Sequence, residues 1–119
     1  TRELRRYLGE AGFAVLREQA VREGERLYSV LEAAWTGRRE TDPLLWLTGG
    51  LPRENSREAR ELLQRQLVRL SRQLEGRCRG RDAFDAAGLK RDIAFLSGVL
   101  AGMNERERGM NLGHCADNL

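Results

Sequence analysis

The sequence is poor in the side chains that carry most enzymatic and metal chemistry. Its 119 residues include one histidine, His114, and two cysteines, Cys78 and Cys115. Because His114 lies in the expected C-terminal tail, a Cys–His or Ser–His–Asp arrangement cannot be assembled in the interior of the protein. His114, Cys115 and Asp117 are metal-ligand types, but they are too crowded to supply three ligands with good geometry, and a fourth is missing. We expect no catalytic residue, no metal site and no cofactor.

Long apolar runs and glycine-rich phosphate loops are also missing. No run approaches the roughly 18 apolar residues that span a bilayer, and the N-terminus lacks the apolar stretch of a signal peptide. Neither glycine cluster is followed by the Gly-Lys-Ser/Thr of a phosphate-binding loop. Hydrophobic residues make up 40% of the chain and charged residues 33%, which is typical of a globular protein. The composition predicts a cytoplasmic protein without membrane contact, in which both cysteines are reduced.

Strand signals are scarce, because a period-two alternation of β-branched residues never lasts five positions. The sequence therefore predicts an all-α fold, an antiparallel bundle of three long helices and one short helix. The long helices are expected at Arg2–Trp35, Asn55–Cys78 and Ala83–Asn104, and the short one at Pro43–Leu47. Glycines, among them Gly24, interrupt the first segment, so that one bent helix and two shorter helices remain alternatives. Residues 1–104 would form one domain and residues 105–119 a flexible tail.

The helix expected at Asn55–Cys78 has two different faces. Leucines repeat on one side at spacings of three and four, and arginines repeat at the same spacings on the opposite side. The leucines favour burial, while the arginines form a stripe that is solvated or contacts a partner. The apolar positions are Leu63, Leu67, Leu70, Leu74 and Cys78, and the stripe consists of Arg65, Arg69 and Arg72.

Positive charge is concentrated around this helix. Residues 57–81 contain eight arginines and three glutamates, an excess of five, whereas the whole chain carries +3. Such a face suits a phosphate backbone, because binding releases condensed counterions. An acidic protein surface would fit equally well. The candidate contact residues are Arg65, Arg69, Arg72, Arg77, Arg79 and Arg81.

Two tryptophans flank the loop that precedes the short helix. Trp35 and Trp46, with Leu44 and Leu45, would form an apolar groove for an amphipathic helix if they are exposed. The favoured function is a non-enzymatic adaptor, chaperone or regulatory protein that binds another protein through this groove, rimmed by arginine. A nucleic-acid-associated or transcription-regulatory protein is the alternative. Gly98 and Gly102 would allow close packing of another helix of the same chain, or of a second copy in a homodimer.

Overall fold

The computed structural model describes the backbone of residues 1–78 and 86–117 and the side chains within 1–76 and 86–108. The chain starts with a helix, continues into a β-hairpin, passes through two short helices and then forms two long helices. The elements are α1 (Arg2–Ala11), β1 (Phe13–Glu23), β2 (Arg26–Trp35), α2 (Pro43–Thr48), α3 (Leu51–Glu54), α4 (Arg57–Cys78) and α5 (Ala86–Asp117).

The expectation of an all-α bundle is wrong, because residues 13–35 form an antiparallel hairpin and not a helix. Glu23 and Arg26 are the last paired residues, and two residues connect the strands. The first of these, Gly24, has a φ of +61°. A positive φ at this position alone fits the type II′ turn, which matches the twist of the flanking strands and takes glycine there. Gly24 is thus a turn residue and not an interruption in a helix.

The apolar pattern of β2 misleads because it fits two kinds of element. Leu27, Val30 and Leu31 are spaced as on one helical face, yet on a strand they alternate between its two sides. Leu27 and Leu31 are partly buried, whereas Val30 is half exposed. In β1 the alternation is broken by a register shift between Val15 and Arg17. Because of this irregularity, apolar and polar residues do not alternate with a regular period of two, which is the pattern that identifies a strand.

The expected leucine seam of α4 is confirmed. Leu63 and Leu70 are buried, and Leu67 and Leu74 pack against the same core. The core is completed from α5 by Leu89, Leu96, Leu100 and Met103. The short helix expected at Pro43–Leu47 is confirmed as α2, and Asp42 caps it by accepting a hydrogen bond from the Leu44 N–H at 3.0 Å.

Helix α5 is longer than expected. It does not end at Asn104 but continues to Asp117; the flexibility of residues 105–119 and the limits of the domain stay predictions. A Cβ built on Gly98 or Gly102 meets no atom of the described residues within 4 Å, so within that part of the chain no other helix packs closely there, contrary to the expectation. The side chains of Cys78 and His114 lie outside the described residues. Within those residues, no helix combines the length and apolar character that crossing a bilayer requires.

A buried ion pair between Arg5 and Glu18 joins α1, β1 and α2. The Arg5 Nε donates to Glu18 Oε1 at 2.9 Å, and a second nitrogen of Arg5 donates to the other carboxylate oxygen. Arg5 Nη1 also donates to the carbonyl oxygens of Trp46 and Leu47, at 2.9 and 3.1 Å. Burial of a charge is tolerated when it is paired and hydrogen-bonded in this way. These four contacts fix α2 against the hairpin.

Ion pairs also attach the long helices to the first part of the chain. Arg2 of α1 donates to the buried Asp92 of α5 at 3.0 Å. Arg22 of β1 pairs with Glu61 of α4. Both α4 and α5 are therefore tied to the body formed by α1 and the hairpin.

Candidate nucleic-acid interface

The exposed side of α4 carries Arg65, Arg69 and Arg72, which we call the arginine face. The three side chains line a shallow groove of about 730 Å³ together with the glutamines Gln64 and Gln73. Successive arginines of this face lie about one turn apart, because α4 is a regular helix and the spacings of four and three return to the same side. The side is set by the leucine seam, whose burial against α5 forces the arginines outward.

The groove presents positive charge with little internal compensation. Arg69 and Arg72 form no ion pair with any of the side chains that the structure describes. Arg65 pairs with Glu61 at 3.3 Å in an exposed i,i+4 contact, a type that contributes only about 0.3 to 0.5 kcal/mol. Glu61 is shared with Arg22. The guanidinium groups are therefore available to an anion from outside, and the glutamines can donate further hydrogen bonds.

The structure does not assemble the apolar groove rimmed by these arginines. Leu45 and Trp46 line a separate cleft beside β1, whereas Leu44 is partly buried and lines neither cavity. Trp35 ends β2 with 69% of its surface exposed and likewise lines neither cavity. The apolar and basic halves of the expected site thus lie apart.

Three of the candidate arginines fall outside what the structure describes. The backbone of Arg77 belongs to α4, but its side chain is not described, and Arg79 and Arg81 lie in residues 79–85. Their contribution to a contact surface stays a prediction, as does a homodimer through Gly98 and Gly102.

The cleft beside β1 contains arginines that sequence reasoning missed. Arg38, Arg39 and Arg53 line it, and all three are exposed. The consecutive arginines of a loop close to Trp46 were the available signal. Arg53 becomes their neighbour only through the fold, because 14 residues separate it from Arg39.

Comparison with known proteins relates the chain to two solved structures. No family model matches the sequence, and the comparison with curated proteins found no match. The first structure is a protein in the NADB-Rossmann superfamily from Streptococcus agalactiae, with 22% identity and a TM-score of 0.63 over 83% of this chain and 43% of the other. The second is a candidate tRNA (m1A22) methyltransferase from Streptococcus pneumoniae, with 21% identity and a TM-score of 0.63 over 83% of this chain and 44% of the other. The chain therefore spans less than half the length of either protein.

The likeness is one of fold. It contradicts the all-α class a second time, and it contradicts the expectations of a non-enzymatic adaptor, chaperone or regulatory protein and of a protein that is not an enzyme. The residues present do not fit a dinucleotide site, because that site requires a glycine-rich loop between a parallel strand and a helix. No Gly-x-Gly-x-x-Gly occurs in the sequence, and the two strands are antiparallel.

Proposed function

We propose that this chain is the RNA-binding part of a tRNA methyltransferase whose methyl donor is bound by residues beyond these 119. The similarity in fold to a candidate tRNA methyltransferase, over 83% of this chain and 44% of the other, carries the proposal. The basic side of α4, with Arg65, Arg69 and Arg72, supports a role of this part in binding and orienting RNA. An enzyme that acts on tRNA works where tRNA is present, and we accordingly propose a cytoplasmic location.

Uncovered surfaces of the hairpin and of α1 support a larger assembly. A sheet of two strands is at best marginally stable alone, and no third strand pairs with it within the described residues. Tyr28 and Val30 on β2 are exposed, as are Leu4 and Tyr7 on α1. An antiparallel edge on an otherwise parallel sheet is common in large α/β proteins. The free edge of β2 is therefore suited to pairing with a strand of the donor-binding part.

The arginine face is the surface that we assign to RNA. A stripe of guanidinium groups follows a phosphate backbone, and each contact releases condensed counterions. Such contacts orient the RNA without reading its sequence. Because β1 packs through Ala20 against the core that contains Leu63 and Leu70 of α4, RNA bound on the arginine face would lie at a defined position relative to the sheet.

Fluorescence anisotropy with a labelled tRNA transcript tests this role. We expect a Kd below about 1 μM at ~150 mM salt, tighter than the non-specific range of about 10⁻⁴ to 10⁻⁶ M. Changing Arg65, Arg69 and Arg72 together to alanine should weaken binding at least about tenfold and flatten the slope of log affinity against log salt by about two to three units. Folding should persist, because these side chains point away from the leucine seam.

A matched control removes the same charge elsewhere. Arg26, Arg91 and Arg108 are exposed and lie outside the groove on α4. Their triple alanine variant should retain most of the affinity and a slope close to that of the wild type. Equal losses in the two triple variants, or no binding of tRNA by the wild type, would contradict the assignment of the arginine face to RNA.

A further inference from the structure

A second cavity, apart from the arginine face, lies beside the outer edge of β1. It has a volume of about 1030 Å³ and is bounded by β1, the loop after β2, and the segment from α2 to α3. The Ala20 N–H donates to a carboxylate oxygen of Glu54 at 2.8 Å, so the backbone there faces away from β2 and toward α3. The buried ion pair fixes the floor by holding α2 against the hairpin. Hydrogen bonds thus join α1, β1, α2 and α3 around the cleft.

The rim of this cleft is basic. Apart from the buried pair of Arg5 and Glu18 on the floor, four arginines and two glutamates line the cleft, an excess of two positive charges. Each glutamate already accepts a hydrogen bond: Glu18 from Arg5, Glu40 from the Asp42 N–H and Glu54 from the Ala20 N–H.

The arginines of the rim have hydrogen-bond donors that the described residues do not use. The side chains of Arg38 and Arg53 make neither a hydrogen bond nor an ion pair with another described residue, and Arg39 uses only its Nε, which donates to the Glu10 carbonyl oxygen at 3.0 Å. Three guanidinium groups therefore retain donors for an anion, and arginine is the side chain best suited to hold phosphate.

The walls of the cleft are apolar. Leu16 is 54% exposed and Leu45 is 48% exposed, and both line the cleft with Trp46. The volume far exceeds that of a bare phosphate and corresponds to the upper end of sites for small molecules, about 300 to 1,000 Å³. A ligand that combines an anionic group with a flat, largely apolar body would use both the rim and the walls.

We propose that this cleft binds a nucleoside phosphate, with its phosphate at Arg38, Arg39 and Arg53 and its base against Leu16, Leu45 and Trp46. The same chemistry is offered by a free nucleotide and by one nucleotide of a single-stranded RNA. The site is independent of the arginine face, so each can fail without the other.

Isothermal titration calorimetry with AMP, ATP and a short oligouridylate tests the proposal. We expect saturable binding that falls at least about tenfold when Arg38 and Arg53 are both changed to alanine, since charge-assisted hydrogen bonds are lost. Arg26→Ala with Arg57→Ala is the matched control, because these exposed arginines lie outside the cleft and should leave the affinity unchanged. The triple variant of the arginine face should bind ATP as the wild type does.

A second variant keeps the test decisive. Leu45→Glu places a carboxylate in the cleft at an exposed helical position, and it should abolish nucleotide binding while circular dichroism stays that of the wild type.

The probes distinguish the two sources of the nucleotide. Binding of AMP or ATP that depends on Arg38 and Arg53 identifies a free nucleotide, and binding of the oligouridylate alone, with the same dependence, identifies RNA. Absence of saturable binding of all three probes would overturn the proposal. Binding of an oligoglutamate peptide in place of the nucleotides would overturn it as well, because charge alone would then be recognised.

Discussion

Replacing Glu18 by glutamine should destabilise the protein strongly. Both partners of the buried ion pair are shielded, with 6% of the Arg5 side chain exposed and none of the Glu18 side chain. Removing one partner of such a pair leaves an uncompensated buried charge, which costs about 3 to 5 kcal/mol. Glutamine can still accept one hydrogen bond, and the carbonyl oxygens of Trp46 and Leu47 still accept from Arg5. We therefore expect a loss of free energy of unfolding at the lower end of this range, about 3 kcal/mol.

Urea unfolding followed by circular dichroism measures this loss as a change in the free energy of unfolding. Glu10→Gln is the matched control, because Glu10 pairs with Arg6 at 3.2 Å on the exposed side of α1. An exposed i,i+4 pair contributes about 0.3 to 0.5 kcal/mol, so the control should unfold almost as the wild type does. A loss for Glu18→Gln as small as that of the control would refute the reasoning that the pair joins α1, β1 and α2.

Three further results are expected. Leu70→Ala should cost about 2 to 5 kcal/mol in urea unfolding, the range for a leucine cavity, whereas Val68→Ala, at a position 40% exposed on the same helix, should stay within about 0.5 kcal/mol; similar losses for both would mean that the seam is not buried. Gly49→Ala should destabilise about as much as Glu18→Gln, because its Cβ would overlap with Arg5 Nε and Glu18 Oε1 and its φ is +56°, and an unchanged unfolding midpoint would contradict this. The hydrogen bond to Glu23, with smaller effects of desolvation and of the glutamate charge, raises the pKa of Tyr28; this favours the folded state below the usual tyrosine pKa, and the benefit is lost as pH rises through the raised value. Glu23→Gln should lower that pKa, as measured by tyrosinate absorbance, and an unchanged titration would exclude the hydrogen bond.

The two long helices, α4 and α5, could be predicted from the sequence, and the hairpin of β1 and β2 could not. The leucines of α4 repeat over several turns, and one face of such a helix has to be buried, whatever it packs against. In β1 the bulge after Val15 shifts the alternation, and in β2 the spacing of Leu27, Val30 and Leu31 is also helical. The turn glycine Gly24 was the remaining signal. Without paired strands beside it, a glycine between two apolar segments fits a break in a helix equally well.

The two candidate sites differ in the same way: the sequence predicts the arginine face and does not predict the cleft beside β1. The arginine face lies on one regular helix, so spacing alone places Arg65, Arg69 and Arg72 side by side. The cleft beside β1 brings Arg38 of a loop and Arg53 of α3 to the same rim, and only the tertiary fold creates that proximity. The reaction itself could not be inferred, because no residue type that commonly reacts is concentrated in the sequence.

An assay for methyl transfer to tRNA, by this chain together with the donor-binding part that the proposal requires, is the most direct test of the proposed function. We expect the wild-type protein to incorporate a methyl group into adenosine of a tRNA transcript, as measured by mass spectrometry. The alanine variant of Arg65, Arg69 and Arg72 should raise the KM for tRNA at least about tenfold and change kcat little, because its contacts orient the RNA backbone and do not touch the reacting base. The triple variant of Arg26, Arg91 and Arg108 should retain wild-type kinetics. No methyl incorporation, or a variant of the arginine face with wild-type kcat/KM, would contradict the account.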